Sequence, residues 1–165
     1  MKRAKPSHGG RARSYGAAAD RALNLWVALA RCASTVSRIS ARDIQRYGLT
    51  QPQFAVLEVL YHKGPLPLHT IGGKLLVTGG NITYVTDQLA RARYLRRDRS
   101  TIDRRVVLAQ LTPKGSALLD RCFPSHASRM AEATLALTPR EQAALARLLK
   151  KWGKAVQRPP GPTGQ

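Results

Sequence analysis

The sequence has few acidic and few aromatic residues. Nine Asp and Glu stand against 28 Lys and Arg in 165 residues, a formal net charge of +19, and aromatic residues make up 5% of the chain. Charge this one-sided is self-repelling unless a polyanion neutralises it. DNA, RNA and an anionic membrane surface all meet that requirement, so the charge alone does not choose among them.

Long apolar runs and clustered ligands are also missing. The longest apolar run, Leu25 to Ala30, is far below the roughly 20 residues that a membrane span needs. The basic stretch from Met1 to Arg13 is followed by no apolar segment, unlike a signal peptide. Only Cys32 and Cys122 are present, far apart, which predicts a reducing cytoplasm. The histidines lack ligand spacing, and no nucleophile, base or metal set is clustered, so we predict no metal site, no cofactor and no enzyme activity.

The most informative stretch runs from residue 67 to residue 115. Apolar residues recur there three or four positions apart, which predicts two short helices in succession. The two sets are Leu68, Ile71, Leu75 and Ile82, Val85, Leu89. Thr78 is the expected N-cap of the second helix, because its hydroxyl can accept from an orphan N–H. The free face of that helix is small and polar, which suits reading of base edges in a major groove.

An arginine-rich β-hairpin is predicted next, with strands over 94–98 and 104–111 and a tip over 99–103. β-branched and bulky residues at 106–108 favour a strand. The hairpin carries Arg96, Arg97, Arg99, Arg104 and Arg105, which suits phosphate or minor-groove contact.

Helices are predicted on both sides of this stretch. One covers residues 20–47, and Thr50 to Gln53 is a capping box that opens another. Thr112-Pro113 opens a third and Thr138 to Glu141 a fourth. Residues 1–19 are predicted to be a disordered basic arm and residues 157–165 a disordered tail. The element order α-α-α-α-β-β-α-α predicts a mainly α chain with a small β-hairpin (α+β): a winged helix-turn-helix between terminal helices.

The chain resembles the multiple-antibiotic-resistance-regulator (MarR) family of bacterial transcription factors from about Leu23 to Val156. The residues that carry the resemblance are Leu75 to Thr83 (LLVTGGNIT), Asp103-Arg104-Arg105 and Leu111 to Gly115 (LTPKG). The resemblance implies a homodimer joined by its first and last helices, about 20–47 and 113–156, around a DNA-binding lobe of about 50–112. It also implies recognition helices in successive major grooves, wings over the minor grooves, and release from DNA by a small aromatic or phenolic compound or an oxidant.

The candidate DNA-binding residues lie on the second short helix and on the hairpin, here called the wing. They are Thr78, Gly79, Gly80, Asn81, Thr83, Tyr84, Gln88, Arg91, Arg99, Asp103, Arg104 and Arg105. Asp103 matches the family's acid that braces an arginine, here Arg105, in the minor groove, where negative potential attracts guanidinium. The alternative is a surface ion pair worth little. Asp87 lies four residues before Arg91 and is expected to position it, or to form a simple solvated pair with it.

Two further hypotheses concern the effector. Trp26, Phe54, Tyr61 and His62 are candidates for the lining of an aromatic-effector cavity, although ordinary core positions would explain them as well. Cys32 is a candidate oxidant sensor, but a lone cysteine on an apolar helix is usually a small buried hydrophobe, which is the reading we favour.

The chain departs from the family pattern at two places. Arg93 stands where the family usually has glycine after the recognition helix, and a left-handed residue with a Cβ costs roughly 1 kcal/mol there. Gly72-Gly73 lies inside the third helix, at a cost of about 1–2 kcal/mol against alanine unless close packing demands it.

The sequence therefore predicts a cytoplasmic, homodimeric, sequence-specific regulator, a repressor, of double-stranded DNA with an inverted-repeat operator. The alternative is a nucleic-acid-binding or architectural protein without sequence preference, bound through charge.

Overall fold

The computed structural model of the protein describes residues 13–75, 79–99 and 103–156. The chain divides into two compact units, residues 1–37 and 38–165. Its helices are α1 (Ala17–Gln45), α2 (Gln51–Lys63), α3 (Leu68–Leu75), α4 (Gly79–Arg91), α5 (Pro113–Ala133) and α6 (Pro139–Val156), and its strands are β1 (Leu66–Pro67), β2 (Leu95–Arg99) and β3 (Val107–Leu111). Every helix in the described ranges is too short or too polar to cross a membrane. The predicted fold class is confirmed: the chain is mainly helical with a small antiparallel sheet.

Helix α1 begins inside the stretch that was predicted to be disordered. Ser14 Oγ donates to Asp20 Oδ2 at 2.6 Å, and the backbone N–H of Tyr15 donates to Asp20 Oδ1 at 3.0 Å. These bonds, first that of Ser14, lower the pKa of the Asp20 carboxyl, and the carboxylate favours a helix start because it lies near the positive end of the helix dipole. The prediction of disorder is therefore wrong for residues 17–19; residues 1–12 and 157–165 lie outside the described residues.

Two predicted capping boxes are confirmed. At the start of α2, Gln53 N–H donates to Thr50 Oγ1 at 3.4 Å while Thr50 N–H donates to Gln53 Oε1 at 2.9 Å. At the start of α6, Thr138 N–H donates to Glu141 Oε2 at 2.8 Å and Glu141 N–H donates to Thr138 Oγ1 at 3.4 Å. Each box satisfies two N–H groups that would otherwise lack a partner at the helix start.

The sheet has the order β1-β3-β2 and is antiparallel. β2 and β3 are the predicted hairpin, with Leu95 opposite Leu111, but β3 begins at Val107 because residues 104 and 105 form a turn. β1 was not predicted, and it pairs with β3 through Leu66 opposite Ala109. Two residues, one of them Pro67, give no alternating pattern to detect, and proline is confined to strand edges because it donates no ladder bond. Most of the predicted tip, residues 100–102, lies outside the described residues.

The core of the 38–165 unit lies among α2, α3, α4, α5 and the sheet. Its most deeply buried side chains include Ile44, Leu57, Ile71, Leu89, Leu119, Val56 and Cys122. α5 runs through Pro124 as one continuous helix. α6 differs from the others, since none of its residues in the described chain is buried. The winged lobe therefore has its own core, while α6 lies outside it.

Candidate nucleic-acid interface

Helix α4 lies on the surface with one side in the core. Ile82, Val85 and Leu89 are buried, as their spacing predicted. The opposite side is exposed and carries Gly79, Gly80, Asn81, Thr83, Tyr84 and Arg91. Tyr84 is 62% exposed, and the described part of the chain offers its hydroxyl no partner. Thr78, the predicted N-cap, lies outside the described residues.

Two candidates on α4 are already engaged by the protein. Thr83 Oγ1 donates to the Gly79 carbonyl of its own helix at 3.0 Å. Gln88 is half-buried, and its Oε1 accepts from Gln53 Nε2 of α2 at 3.1 Å. Sequence spacing placed Gln88 on the flank of α4 but did not show that a glutamine 35 residues earlier lies beside it. A base would have to compete with these bonds.

Asp87 joins α4 to the wing. Its carboxylate forms an ion pair with Arg97 of β2, so the prediction that it positions Arg91 is wrong. The i,i+4 rule considers one helix alone, whereas here β2 returns alongside α4 and its guanidinium takes the carboxylate. Asp87 thus links the helix to the hairpin.

The carboxyl end of α4 takes the conformation that glycine usually adopts. Arg93 has φ 61° and is the one described non-glycine residue with a positive φ. Its N–H donates to the Ala90 carbonyl and that of Tyr94 to the Leu89 carbonyl, both at 2.9 Å. This pair of bonds is a Schellman motif, which ends a helix on a left-handed residue. Arg93 therefore bears the backbone strain that the sequence suggested.

The first turn of α5 packs against that same end. Thr112 Oγ1 donates to the Arg93 carbonyl at 2.7 Å and accepts from Gly115 N–H at 3.1 Å. Lys114 Nζ donates to the Ala92 carbonyl at 2.9 Å and lies 4.7 Å from the centre of the Tyr94 ring. Sequence reasoning identified the Thr-Pro-Lys-Gly stretch as a helix start but missed its contacts with the end of α4.

The wing holds its arginine as expected. Arg105 N–H donates to Asp103 Oδ1 at 3.0 Å, and the guanidinium follows with Nε to Oδ1 at 3.3 Å and Nη2 to Oδ2 at 3.4 Å. These bonds, the backbone one first, lower the pKa of the Asp103 carboxyl. The Arg105 side chain is nevertheless 92% exposed. It is therefore oriented by Asp103 while remaining open to a ligand, and Arg99 and Arg104 are exposed on the same hairpin.

The proposed effector residues do not share one environment. Phe54 is buried in the core, while Tyr61 and His62 are exposed. These three residues nevertheless belong to one aromatic cluster in the 38–165 unit, whose members are Phe54, His126, Phe123, His62 and Tyr61. Tyr61 Oη donates to Asp120 Oδ1 at 2.6 Å, and this bond raises the pKa of the phenol. Trp26 belongs to the 1–37 unit and is 58% exposed.

The two cysteines lie in different environments, and the expectation for Cys32 is wrong. Cys32, predicted as a small buried hydrophobe, is exposed. Cys122 is buried, and its burial, followed by the charge of Asp43, raises the pKa of the thiol. Among the described residues, no three His, Cys, Asp or Glu side chains come together in a way that could hold a metal ion.

The sequence profile described as the MarR family matches residues 49–107. The HTH-type transcriptional regulator YkoM of Bacillus subtilis is 46% identical over 134 residues, which is 81% of this chain and 87% of YkoM. The regulator MhqR of the same organism is 40% identical over 134 residues, which is 81% of this chain and 92% of MhqR.

Solved structures agree with these relatives. A variant of MarR from E. coli, solved in complex with operator DNA, superposes with a TM-score of 0.73 at 26% identity, covering 80% of this chain and 95% of that one. BpsR of Bordetella bronchiseptica, whose DNA binding is regulated by 6-hydroxynicotinic acid, gives 0.72 at 27% identity, covering 79% and 98%. The exposed face of α4, the braced wing and these relatives together place the chain in the MarR family of DNA-binding, winged helix-turn-helix transcriptional regulators.

Proposed function

We propose that the protein is a homodimeric, sequence-specific repressor that inserts α4 into the major groove and lays the wing over the minor groove. The observation that carries this proposal is the pairing of two surfaces joined by Asp87 and Arg97. One is the exposed polar face of α4, and the other is the hairpin on which Asp103 orients Arg105. Polar side chains on a surface helix suit base edges, and an oriented guanidinium suits the negative potential of a narrow minor groove.

Within this proposal the residues have different roles. Asn81, Tyr84 and Arg91 are the free side chains that reach base edges or adjacent phosphates, and Gly79 and Gly80 let the backbone approach the groove, since a Cβ on either would meet open space. Thr78, Thr83 and Gln88 remain proposed contacts, with Gln88 and Thr83 also bonded within the protein. On the wing, Arg99, Arg104 and Arg105 contact the minor groove and phosphates, with Asp103 as the brace.

A second copy of the chain is proposed because α6 has an apolar face that the described residues leave exposed. Leu145, Leu148 and Leu149 lie at helical spacing and all are exposed, Leu148 at 51%. On α1, described by itself, Leu23, Trp26 and Val27 are exposed as well. Apolar patches of this kind mark interaction surfaces, and a two-fold dimer would cover each of them.

A small aromatic or phenolic effector is proposed for the aromatic cluster. Tyr61, His62 and Phe123 offer ring faces at the surface, and the Tyr61 hydroxyl is held by Asp120. Titration of operator-bound protein with phenol and with 6-hydroxynicotinic acid tests this. We expect one of them to release the DNA from the wild type but not from a Tyr61→Ala variant.

The central experiment selects DNA from a random pool with the purified protein. We expect an inverted repeat with half-site centres about one helical turn, roughly 34 Å, apart. Binding of variants to the selected site and to random DNA is then measured at several salt concentrations. Tyr84→Ala should lose about 1–3 kcal/mol on the selected site and much less on random DNA. Arg105→Ala should weaken both by more similar factors and make the salt slope shallower.

Two outcomes would contradict this division of roles. If Arg105→Ala lost only sequence preference with an unchanged salt slope, the wing would be reading bases. If Thr83→Ala and Tyr84→Ala bound both DNAs as well as the wild type, α4 would not be the reading helix. Lys150→Ala on α6 is the matched control for charge loss away from both surfaces.

Each of two alternative functions is favoured by one observation. The net charge of +19 favours an architectural protein without sequence preference, for which the selected site and random DNA would bind equally. The exposure of Cys32 favours an oxidant-sensing regulator. Cys32→Ser tests it: a wild type that releases DNA on oxidation beside a variant that does not would establish the sensor, and an unchanged response to peroxide in both would refute it.

A further inference from the structure

The first turn of α5 contacts the end of α4, and this contact region is here called the α4–α5 junction. It consists of Thr112, Lys114 and Gly115 on the α5 side and of Ala92, Arg93 and Tyr94 on the α4 side. The last carbonyl groups of a helix have no partner within the helix and carry partial negative charge. Ala92, at the end of the last turn, presents one such carbonyl, and the left-handed Arg93 after it presents a further carbonyl outside the helix; the junction supplies a donor to each.

Lys114 supplies the charge. Its ammonium donates to the Ala92 carbonyl at 2.9 Å and lies over the Tyr94 ring at 4.7 Å from the ring centre. A cation at a helix carboxyl end is favoured by the dipole, and a cation over an aromatic face is favoured by the ring quadrupole. The side chain thus bridges the last turn of α4 and the residue that enters β2.

Thr112 and Gly115 supply the geometry. The Thr112 hydroxyl caps α5 by accepting from Gly115 N–H and at the same time donates to the Arg93 carbonyl at 2.7 Å. The backbone N–H of Thr112 donates to the Tyr94 carbonyl at 3.1 Å. A Cβ on Gly115 would lie 2.0 Å from that carbonyl oxygen. The two backbones therefore meet so closely that only glycine fits, which leaves α4 little freedom to turn against α5.

We propose that Thr112, Lys114 and Gly115 are positioning residues, which hold α4 at a fixed angle to α5 and so set how α4 is presented to DNA. The proposal rests on the proposed role of α4 as the reading helix. α5 is about 31 Å long at 1.5 Å per residue for its 21 residues, and it carries Phe123 and His126 of the aromatic cluster. A displacement of α5 would reach α4 through this junction.

The test uses Lys114→Met, which keeps the length and apolar stem of the side chain but removes the ammonium. Lys114→Arg keeps a donor cation, and Lys150→Met removes the same charge from α6, where Lys150 has no partner in the described residues. Each variant is titrated with the selected site and with random DNA. Amide hydrogen exchange is followed at Arg93 and Tyr94, whose N–H groups close the end of α4, and at Leu57 and Leu60 in α2.

We expect Lys114→Met to weaken binding to the selected site roughly three- to tenfold, the range for one helix-end cation with a ring contact. Binding to random DNA should fall less than about twofold, as for loss of one charge. Exchange at Arg93 and Tyr94 should become several times faster while exchange at Leu57 and Leu60 is unchanged. Lys114→Arg should restore both readouts, and Lys150→Met should leave the ratio of the two affinities as in the wild type.

Three results would overturn the proposal. The first is a ratio of the two affinities that Lys114→Met leaves unchanged. The second is an equal loss of affinity for both DNAs, which would make Lys114 a phosphate contact. The third is faster exchange at Leu57 and Leu60 as well, which would mean that Lys114 contributes only to general stability. Thr112→Val with Thr112→Ser as its rescue gives a second, independent pair. Gly115→Ala should abolish preference for the selected site; if it does not fold, the other two pairs still decide. If the wild type showed no sequence preference, the proposed function would be refuted instead, and hydrogen exchange alone would then test whether the junction holds the end of α4.

Discussion

Helices α4 and α6 are both amphipathic, but in the part of the chain that the structure describes α4 has its apolar side covered and α6 does not. Ile82, Val85 and Leu89 of α4 are buried, whereas Leu145 and Leu148 of α6 are exposed. Apolar residues at helical spacing show that a face needs cover. They do not show whether the same chain or another one provides it, and that difference separates a core from an interface.

The largest effect is expected from Leu89→Ala on α4. Leu89 is among the fully buried side chains, and truncation of a buried leucine costs roughly 2–5 kcal/mol through lost burial and the cavity that remains. Urea unfolding at fixed protein concentration measures the loss. A loss below about 1 kcal/mol would mean that Leu89 does not anchor α4 in the core, and α4 would then not differ from α6 in this respect.

The next effect is expected from Leu148→Asp on α6, which should separate subunits without unfolding the winged lobe. A neutral polar group without a partner on a covered apolar face costs roughly 1–3 kcal/mol, and a carboxylate costs more because it is charged. The mass measured by light scattering should fall from twice 18.1 kDa to 18.1 kDa, while the far-UV circular dichroism spectrum is retained. Lys150→Asp, on the basic side of α6, is the control and should remain dimeric. A wild type that is already monomeric at micromolar concentration would contradict the dimer.

A smaller effect is expected from Asp87→Asn, which tests the polar link between α4 and the wing. The Asp87–Arg97 pair keeps part of both side chains in water, so its loss should cost at most about 1 kcal/mol and less at high salt. Arg147→Gln on α6 is the comparison, because Arg147 has no partner in the described residues, and it should change nothing. Equal costs for the two variants would mean that the link contributes nothing specific.

The smallest effect is expected from glycine replacements in helix interiors. A Cβ on Gly73 of α3 or on Gly153 of α6 would meet open space in the chain, so each alanine variant should stabilise its helix by roughly 0.5–1 kcal/mol. Thermal unfolding at low and high protein concentration measures both. For Gly73→Ala the gain should be the same at both concentrations. A gain for Gly153→Ala that disappears at high concentration would place Gly153 against the second subunit.

Local signals predicted most elements of the fold. The Thr50–Gln53 and Thr138–Glu141 capping boxes mark the observed helix starts, and apolar spacing located α3 and α4. The Asp103–Arg105 pair was also within reach, because its members are two residues apart. Such features depend only on neighbours along the chain, which a single sequence displays.

Several misses depend on residues that are distant in sequence. The partner of Asp87 comes from β2, the partner of Gln88 from α2, and the partner of β1 is β3. The exposure of Cys32 could not be inferred either, because the apolar side of α1 suggested burial within the chain. Family resemblance identified Leu111 to Gly115 as a marker, but only the structure shows that it ties two helices together.

The two outer strands of the sheet also protect the protein from aggregation. An open strand edge is a template on which another chain can add a strand. β1 is two residues long and Pro67 has no N–H to offer such a chain. At the other edge, β2 carries three arginines against one acid, Asp98, so the net positive charge of two wings would oppose their pairing. Both edges of the sheet therefore disfavour the joining of neighbouring copies of the chain into a continuous sheet.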